Sequence, residues 1–199
     1  MFENIRHDWQ VYERDIGRQG FWVMLAYRFG CWRYRVRPRF LRAPLSILYK
    51  CLKVASQILT GIDLPCEVKV GKNFRIEHFG DIIISGDTVI GDDVVLRNGV
   101  TIGLRHTGIK GAPVIGNRVD IGTGAKILGA ITIGDDVAIG ANAVVIKDVP
   151  ANSIAVGIPA KIKPRKAPPT PPASDTESQD AESKVENGVE STEQEAVTA

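Results

Sequence analysis

Residues 115–145 have the sequence IGNRVDIGTGAKILGAITIGDDVAIGANAVV, in which a branched aliphatic residue returns at every sixth position. A period of six fits neither an α-helix, which repeats about every 3.6 residues, nor an ordinary strand, which repeats at every second residue. It fits a coil with three flat faces, whose aliphatic side chains fill a shared shaft and whose successive turns stack at the strand spacing of about 4.8 Å. The repeat therefore predicts a mainly β protein, a parallel β-helix. Thirteen positions follow the hexad: Leu64, Val70, Ile76, Ile84, Ile90, Leu96, Ile102, Ile115, Ile121, Ile127, Ile133, Ile139 and Val145.

The hexads lose phase at two places, after Ile76 and after Ile102. Insertions in a repeat protein commonly project from one face, and that face is often the binding face. Two of the three histidines, His78 and His106, lie in these breaks. We therefore expect the functional site at one or both of them.

The segments on either side of the repeat have other compositions. Residues 1–60 carry apolar and aromatic side chains at helical spacing, and Pro38 and Pro44 are predicted to separate helices, the last one at about 45–59. Residues 167–199 contain eight acids and one lysine and are rich in Pro, Ser and Thr, which predicts a disordered tail. The predicted domains are an α-helical N-terminal segment at 1–60, the β-helix at 61–163 and the acidic tail at 164–199.

Composition also limits the cellular context. The three cysteines lack the paired spacing of a metal site or a disulfide framework. No apolar run approaches the roughly 20 residues that a membrane-spanning helix needs. The sequence predicts a cytoplasmic protein with reduced thiols and no nucleic-acid partner.

Five motifs resemble the catalytic domain of the serine O-acetyltransferases, which are hexapeptide-repeat acyltransferases. They are 62–64 (IDL), 74–78 (FRIEH), 99–103 (GVTIG), 121–129 (IGTGAKILG) and 156–161 (VGIPAK). The resemblance covers about residues 55–163, and its last motif is shared widely in the superfamily. It implies a short serine acetyltransferase with a left-handed β-helix, assembled as a homotrimer, that uses acetyl-CoA in cysteine biosynthesis and needs no metal.

The resemblance also implies a catalytic pair. Asp63 and His78 lie fifteen residues apart, as the family's catalytic aspartate and histidine do. An alcohol needs a base to remove its proton as it attacks, and a neutral imidazole with a reference pKa of about 6.5 can serve. His78 is thus the candidate general base, and Asp63 is the carboxylate that would fix its tautomer. Because no Gly-x-Ser-x-Gly motif is present, we expect direct transfer without an acyl-enzyme.

Acceptor binding departs from the family pattern. Glu77 occupies the place where the family has an aspartate that contacts serine. The family's Arg-His pair, just before the proline that re-enters the coil, is replaced by Gly111 and Ala112. Arg105 and His106 lie earlier in the same insertion and are candidates to substitute for that pair.

The donor site is also implied by resemblance. Acetyl-CoA would lie in a groove between the coils of neighbouring subunits, with its pantetheine arm against small residues. Gly103, Ala125 and Ala143 fit that need, and Lys161 is a candidate phosphate contact.

Three other functions compete with this interpretation. An O-acetyltransferase for a sugar or polysaccharide precursor would use the same base and donor, and the altered Arg-His site favours it. A zinc enzyme of the carbonic anhydrase type needs three histidine ligands, but His7 lies far outside the coil. A scaffold without catalysis could bind an anionic membrane through the basic, aromatic N-terminal segment, although packing of the aromatics on the shaft is favoured. Because the family's C-terminal isoleucine is absent, no complex with cysteine synthase is expected.

Overall fold

The computed structural model describes residues 2–37, 39–106, 108 and 111–165, which form three helices followed by fifteen short strands. The helices are α1 (Phe2–Val11), α2 (Gln19–Arg33) and α3 (Arg39–Thr60). The strands are β1 (Ile62–Asp63), β2 (Lys69–Val70), β3 (Arg75–Ile76), β4 (Ile82–Ile84), β5 (Val89–Ile90), β6 (Val95–Leu96), β7 (Thr101–Gly103), β8 (Val114–Ile115), β9 (Asp120–Ile121), β10 (Lys126–Leu128), β11 (Thr132–Ile133), β12 (Ala138–Ile139), β13 (Val144–Val145), β14 (Ser153–Val156) and β15 (Lys161–Pro164).

The strands form three sheets, one on each face of a coil. Their orders are β1-β4-β7-β10-β13, β2-β5-β8-β11 and β3-β6-β9-β12-β14-β15. Neighbouring strands are parallel, except that β15 returns antiparallel to β14. The strand register aligns the aliphatic residue of each hexad with that of the next coil, so Ile102 lies beside Ile127 and Ile127 beside Val145. The predicted fold class, a left-handed parallel β-helix after an α-helical N-terminal segment, is confirmed.

The aliphatic hexad residues form the core of the shaft. Twelve of the thirteen are buried, and Val70 is half-buried. Small and β-branched residues two places earlier, such as Val94 and Val100, also expose no surface. Burying one large aliphatic side chain contributes about 1.5–3 kcal/mol, so the shaft supplies most of the hydrophobic stabilisation.

Close contact between coils explains a glycine at the corners. A Cβ atom on Gly91 would lie 2.6 Å from the backbone oxygen of Gly116 on the next coil. That distance is well inside van der Waals contact, so only glycine permits this stacking.

The predicted break at Pro44 was wrong. Helix α3 begins at Arg39 and runs through Pro44 to Thr60. Pro44 is only the sixth residue of the helix, so its missing N–H removes one backbone hydrogen bond close to the N-terminal end. Pro38 lies outside the described residues.

The helices pack against the first coil of the shaft. The Tyr27 hydroxyl on α2 donates a 2.8 Å hydrogen bond to the backbone oxygen of Val68. A buried ion pair joins α1 to α2, because Arg28 Nε lies 2.8 Å from Asp8 Oδ2. These contacts fix the helices next to the start of the repeat.

Helix α3 turns its apolar side away from the molecule. Tyr49 and Thr60, on its other side, are buried. The exposed apolar residues, here called the α3 apolar face, are Phe40, Leu41, Ile47, Leu48, Leu52, Val54, Ile58 and Leu59. Among the described residues, no helix has both the length and the apolar character to cross a membrane.

The shaft packing gives a direct stability prediction. Ile115→Ala should lower the free energy of unfolding by about 2–5 kcal/mol, because Ile115 is 1% exposed and its loss leaves a cavity. Val114→Ala, one residue away on the same strand but 42% exposed, should cost less than about 1 kcal/mol. Urea unfolding followed by circular dichroism measures both. Equal losses would contradict the assignment of the shaft interior.

Candidate active site

A cavity of about 240 Å³ opens between the loop that joins α1 to α2 and the corner that follows β3. It brings together two parts of the chain that are about sixty residues apart, and the predicted general base lies in its wall. The residues that line it are Val11, Tyr12, Glu13, Gly17, Arg18, Gln19, Gly20, Arg75, Ile76, Glu77, His78 and Phe79.

Tyr12 anchors the helical wall of this cavity to the shaft. The Ile76 N–H donates a 2.9 Å hydrogen bond to the Tyr12 hydroxyl oxygen, and Tyr12 is only 3% exposed. Burial raises the pKa of Tyr12 above its ordinary value, so the hydroxyl stays protonated at neutral pH. At Gly20 a Cβ would lie 2.7 Å from the Ile76 oxygen, which shows how closely α2 approaches β3.

His78 lies on the corner, two residues after β3 ends. Its backbone has φ +64, in the left-handed region that few residues other than glycine adopt. The side chain is exposed at the cavity. Within the described parts of the chain, no hydrogen bond holds the imidazole in the single subunit, so both ring nitrogens are available.

The second member of the predicted pair, Asp63, lies on β1 beside Ile83 of β4. The corner that carries His78 leads into β4, the strand that pairs with β1. Lys53 Nζ on α3 lies 3.1 Å from Oδ1 of the Asp63 carboxylate, so this buried oxygen has a charged partner. Among the described residues, no hydrogen bond or ion pair joins Asp63 to His78 within one chain.

Glu77 takes part in an ion network beside the base. Arg97 Nε lies 3.4 Å from Glu77 Oε2, and Arg97 also pairs with Asp120. Arg75 is more distant, with its nearest terminal nitrogen 4.0 Å from Glu77 Oε1. The cavity therefore holds a carboxylate, an imidazole and a guanidinium next to one another.

The predicted CoA contacts lie in different environments. Ala125 and Ala143 have no exposed surface, which contradicts their predicted contact with a pantetheine arm. Their place two residues before the hexad aliphatic turns them into the shaft, where small volume serves packing. Gly103 is also buried, whereas Lys161 on β15 is exposed.

The second break in the repeat is described only in part. Arg105 and His106 are exposed in the loop after β7, and neither lines the cavity around His78. Residues 107, 109 and 110 lie outside the described ranges. The structure therefore does not bring Arg105 or His106 to the predicted base within one chain.

The part of the site that the helices provide was not predicted from the sequence. Glu13 and Arg18, which line the cavity, form a 2.8 Å ion pair in the loop between α1 and α2. No repeat or spacing connects that loop to the β3 corner. Arg75 could have been found from the sequence, because it is a charged residue immediately before the hexad residue Ile76 and three residues before His78.

A metal centre was not predicted. In the residues that the structure describes, no group of three or more His, Cys, Asp or Glu side chains is placed to hold a metal ion. Independence from metal stays a prediction.

Comparisons with known proteins agree with the fold and the motifs. The chain is 42% identical over 159 residues to a serine acetyltransferase of Helicobacter pylori, covering 78% of this chain and 86% of that protein. It is 36% identical over 146 residues to the putative colanic acid biosynthesis acetyltransferase WcaB of Escherichia coli, covering 71% and 88%. The crystal structure of Brucella abortus serine acetyltransferase in complex with coenzyme A matches with a TM-score of 0.71 at 27% identity, over 83% of this chain and 68% of that one. No family model matches.

The anchoring role of Tyr12 can be tested by removing one oxygen atom. Tyr12→Phe should lower the free energy of unfolding by about 1–3 kcal/mol, because the buried Ile76 N–H loses its acceptor. Tyr34→Phe is the control, since the Tyr34 side chain is 53% exposed and should change stability by less than about 1 kcal/mol. Denaturant titrations compare the two. If both variants match the unsubstituted protein, the Tyr12 bond does not hold the cavity wall.

Proposed function

The chain belongs to the serine acetyltransferase family, and on this premise we propose that it transfers the acetyl group of acetyl-CoA to the hydroxyl of L-serine. The products are O-acetyl-L-serine and CoA, and the reaction is a step of cysteine biosynthesis. The observation that carries the proposal is the cavity at the β3 corner, where His78 and Glu77 lie side by side.

His78 is the general base of this proposal. Its neutral imidazole takes the proton of the serine hydroxyl while the oxygen attacks the thioester carbonyl. The tetrahedral intermediate then collapses, the carbon–sulfur bond breaks, and the imidazolium returns the proton to the CoA thiolate. Exposure at the cavity and a free ring support this role, because a base must reach the hydroxyl directly.

Asp63 is proposed to orient the imidazole of His78. A carboxylate that accepts the second ring N–H would fix the tautomer and stabilise the imidazolium. One observation supports this role: Asp63 lies on β1, the strand adjacent to β4, which the His78 corner enters.

Acetyl-CoA binding is proposed to use surface outside the shaft. Lys161 is exposed and positively charged, which suits a phosphate group of CoA.

A polysaccharide precursor is the second candidate acceptor. Gly111 and Ala112 lack the side chains that the family's Arg-His pair uses, and one similar protein is assigned to colanic acid biosynthesis. The fifteen-residue spacing of Asp63 and His78 favours L-serine.

Assembly into a homotrimer is also proposed. The α3 apolar face is a contiguous exposed surface, and monomeric proteins rarely leave such a surface uncovered. Contact with a second copy would bury it. A cytoplasmic location stays a prediction.

The role of His78 and the choice of acceptor can be tested together. With acetyl-CoA, the unsubstituted protein should release CoA in the presence of L-serine and not with nucleotide sugars. His78→Ala should lower kcat with L-serine by about 10²–10⁴-fold, because the base is lost. Thiol release and mass spectrometry of the product measure both effects.

The matched control is His7→Ala. His7 lies on α1 outside the cavity and bonds to Asn73 at 2.7 Å, so its loss should leave kcat unchanged. Acetylation of nucleotide sugars without acetylation of L-serine would support the second candidate, and an active His78→Ala would contradict the catalytic role.

The proposed homotrimer can be tested by measuring the mass of the protein in solution. Light scattering should give about three times the 21.6 kDa of one chain. Ile58→Glu, at a position 77% exposed on the α3 apolar face, should lower that mass, because a charge cannot be buried there without a partner. Gln57→Glu adds the same charge outside that face and should not. A monomeric unsubstituted protein, or a trimer with Ile58→Glu, would contradict the proposal.

A further inference from the structure

Arg75 presents an incompletely paired guanidinium to the cavity that contains His78. Its Nε is buried without a hydrogen-bond partner among the described residues. Its side chain is 44% exposed, and its nearest terminal nitrogen lies 4.0 Å from Glu77 Oε1, beyond hydrogen-bond distance. Charged donors in partly buried sites are costly unless an acceptor pairs with them.

The position of Arg75 in β3 explains why its side chain points away from the shaft. Phe74 and Ile76 on either side are 2% and 4% exposed, so the alternation along β3 turns Arg75 away from the shaft. Its partner on the next coil is Val95, which has no acceptor in its side chain. The neighbouring strand therefore offers no acceptor side chain directly beside the guanidinium.

The other charged groups of the cavity already have closer partners. Arg18, the second guanidinium that lines it, lies 2.8 Å from Glu13 and 3.6 Å from Asp15. The Glu77 carboxylate is closer to Arg97, at 3.4 Å, than to Arg75. Of the two lining guanidinium groups, Arg75 is the one left to meet a ligand.

We propose that Arg75 binds the carboxylate of the amino-acid acceptor, while His78 meets its hydroxyl. This inference rests on the proposed function and adds the specificity residue that the altered Arg-His site leaves open. The planar fork of a guanidinium matches the two oxygens of a carboxylate, and such charged pairs are stronger than neutral hydrogen bonds. The acidic Glu77 next to it suits the acceptor's ammonium group. Arg75 thereby supplies the carboxylate contact in place of the family's Arg-His pair, whose positions are Gly111 and Ala112 in this chain.

The test compares L-serine with L-serinamide, which keeps the hydroxyl and the amine but lacks the carboxylate. Arg75→Gln should lower kcat/KM for L-serine by about 10–100-fold, the size expected for loss of a charged hydrogen-bond partner. The value for L-serinamide should change by less than about threefold, so the preference of the enzyme for L-serine should nearly disappear. The KM for acetyl-CoA should not change.

Two further variants complete the experiment. Arg118→Gln removes an exposed guanidinium that pairs with Asp136 outside the cavity, and it should leave both acceptors unaffected. Arg75→Lys keeps the charge but not the fork, and should retain only part of the preference for L-serine. If Arg75→Gln fails to fold, the lysine variant decides, and an unchanged preference would overturn the inference.

Failure of this inference differs from failure of the proposed function. Equal losses for L-serine and L-serinamide in Arg75→Gln would mean that Arg75 does not bind the carboxylate, although the enzyme uses L-serine. No acetylation of L-serine by the unsubstituted protein would refute the proposed function and this inference with it.

Discussion

The structure depends on the in-register stacking of aliphatic side chains inside the three-sided shaft. Because each parallel strand pairs with the strand one coil away, the place of a residue in its hexad decides whether it faces the shaft or the solvent. Backbone hydrogen bonds between coils, such as the 3.0 Å bond from Thr101 N–H to the Ala125 oxygen, hold that register. A corner that departs from the hexad can then carry polar side chains without loosening the core, and the corner with His78 does so.

The candidate site combines this rigid corner with a wall from the helical segment. The shaft supplies the imidazole, the acidic neighbour and the guanidinium, while the loop between α1 and α2 closes the cavity over them. The bond between Tyr12 and Ile76 joins the two parts, and Gly20 lets α2 approach β3 closely. Small-molecule sites commonly form where two structural units meet, because each contributes polar groups that the other positions. The helical segment is therefore part of the site as well as a lead-in to the repeat.

Periodicity made the shaft predictable, and long-range packing made the site only partly so. The burial of residues such as Ile121 and Ile133 can be predicted from their six-residue spacing alone. The motif around His78 also indicated a general base at the first break in the repeat. Ala125 illustrates the limit, since small size suits both a ligand groove and a tight interior, and only its position two residues before the hexad residue distinguishes them. Pro44 was given too much weight, because it lies near the N-terminal end of α3 and removes only one backbone hydrogen bond there. The partnership of Tyr12 with Ile76 spans sixty-four residues and has no local signal in the sequence.

The central claim is that the β3 corner carries a general base oriented by a carboxylate. A crystal structure of the assembled protein with L-serine and CoA tests it most directly. We expect the serine hydroxyl within about 2.6–3.2 Å of one His78 ring nitrogen, and the Asp63 carboxylate within the same distance of the other. Serine bound elsewhere, or a His78 imidazole that faces solvent while Asp63 remains paired with Lys53, would contradict the proposed catalytic pair.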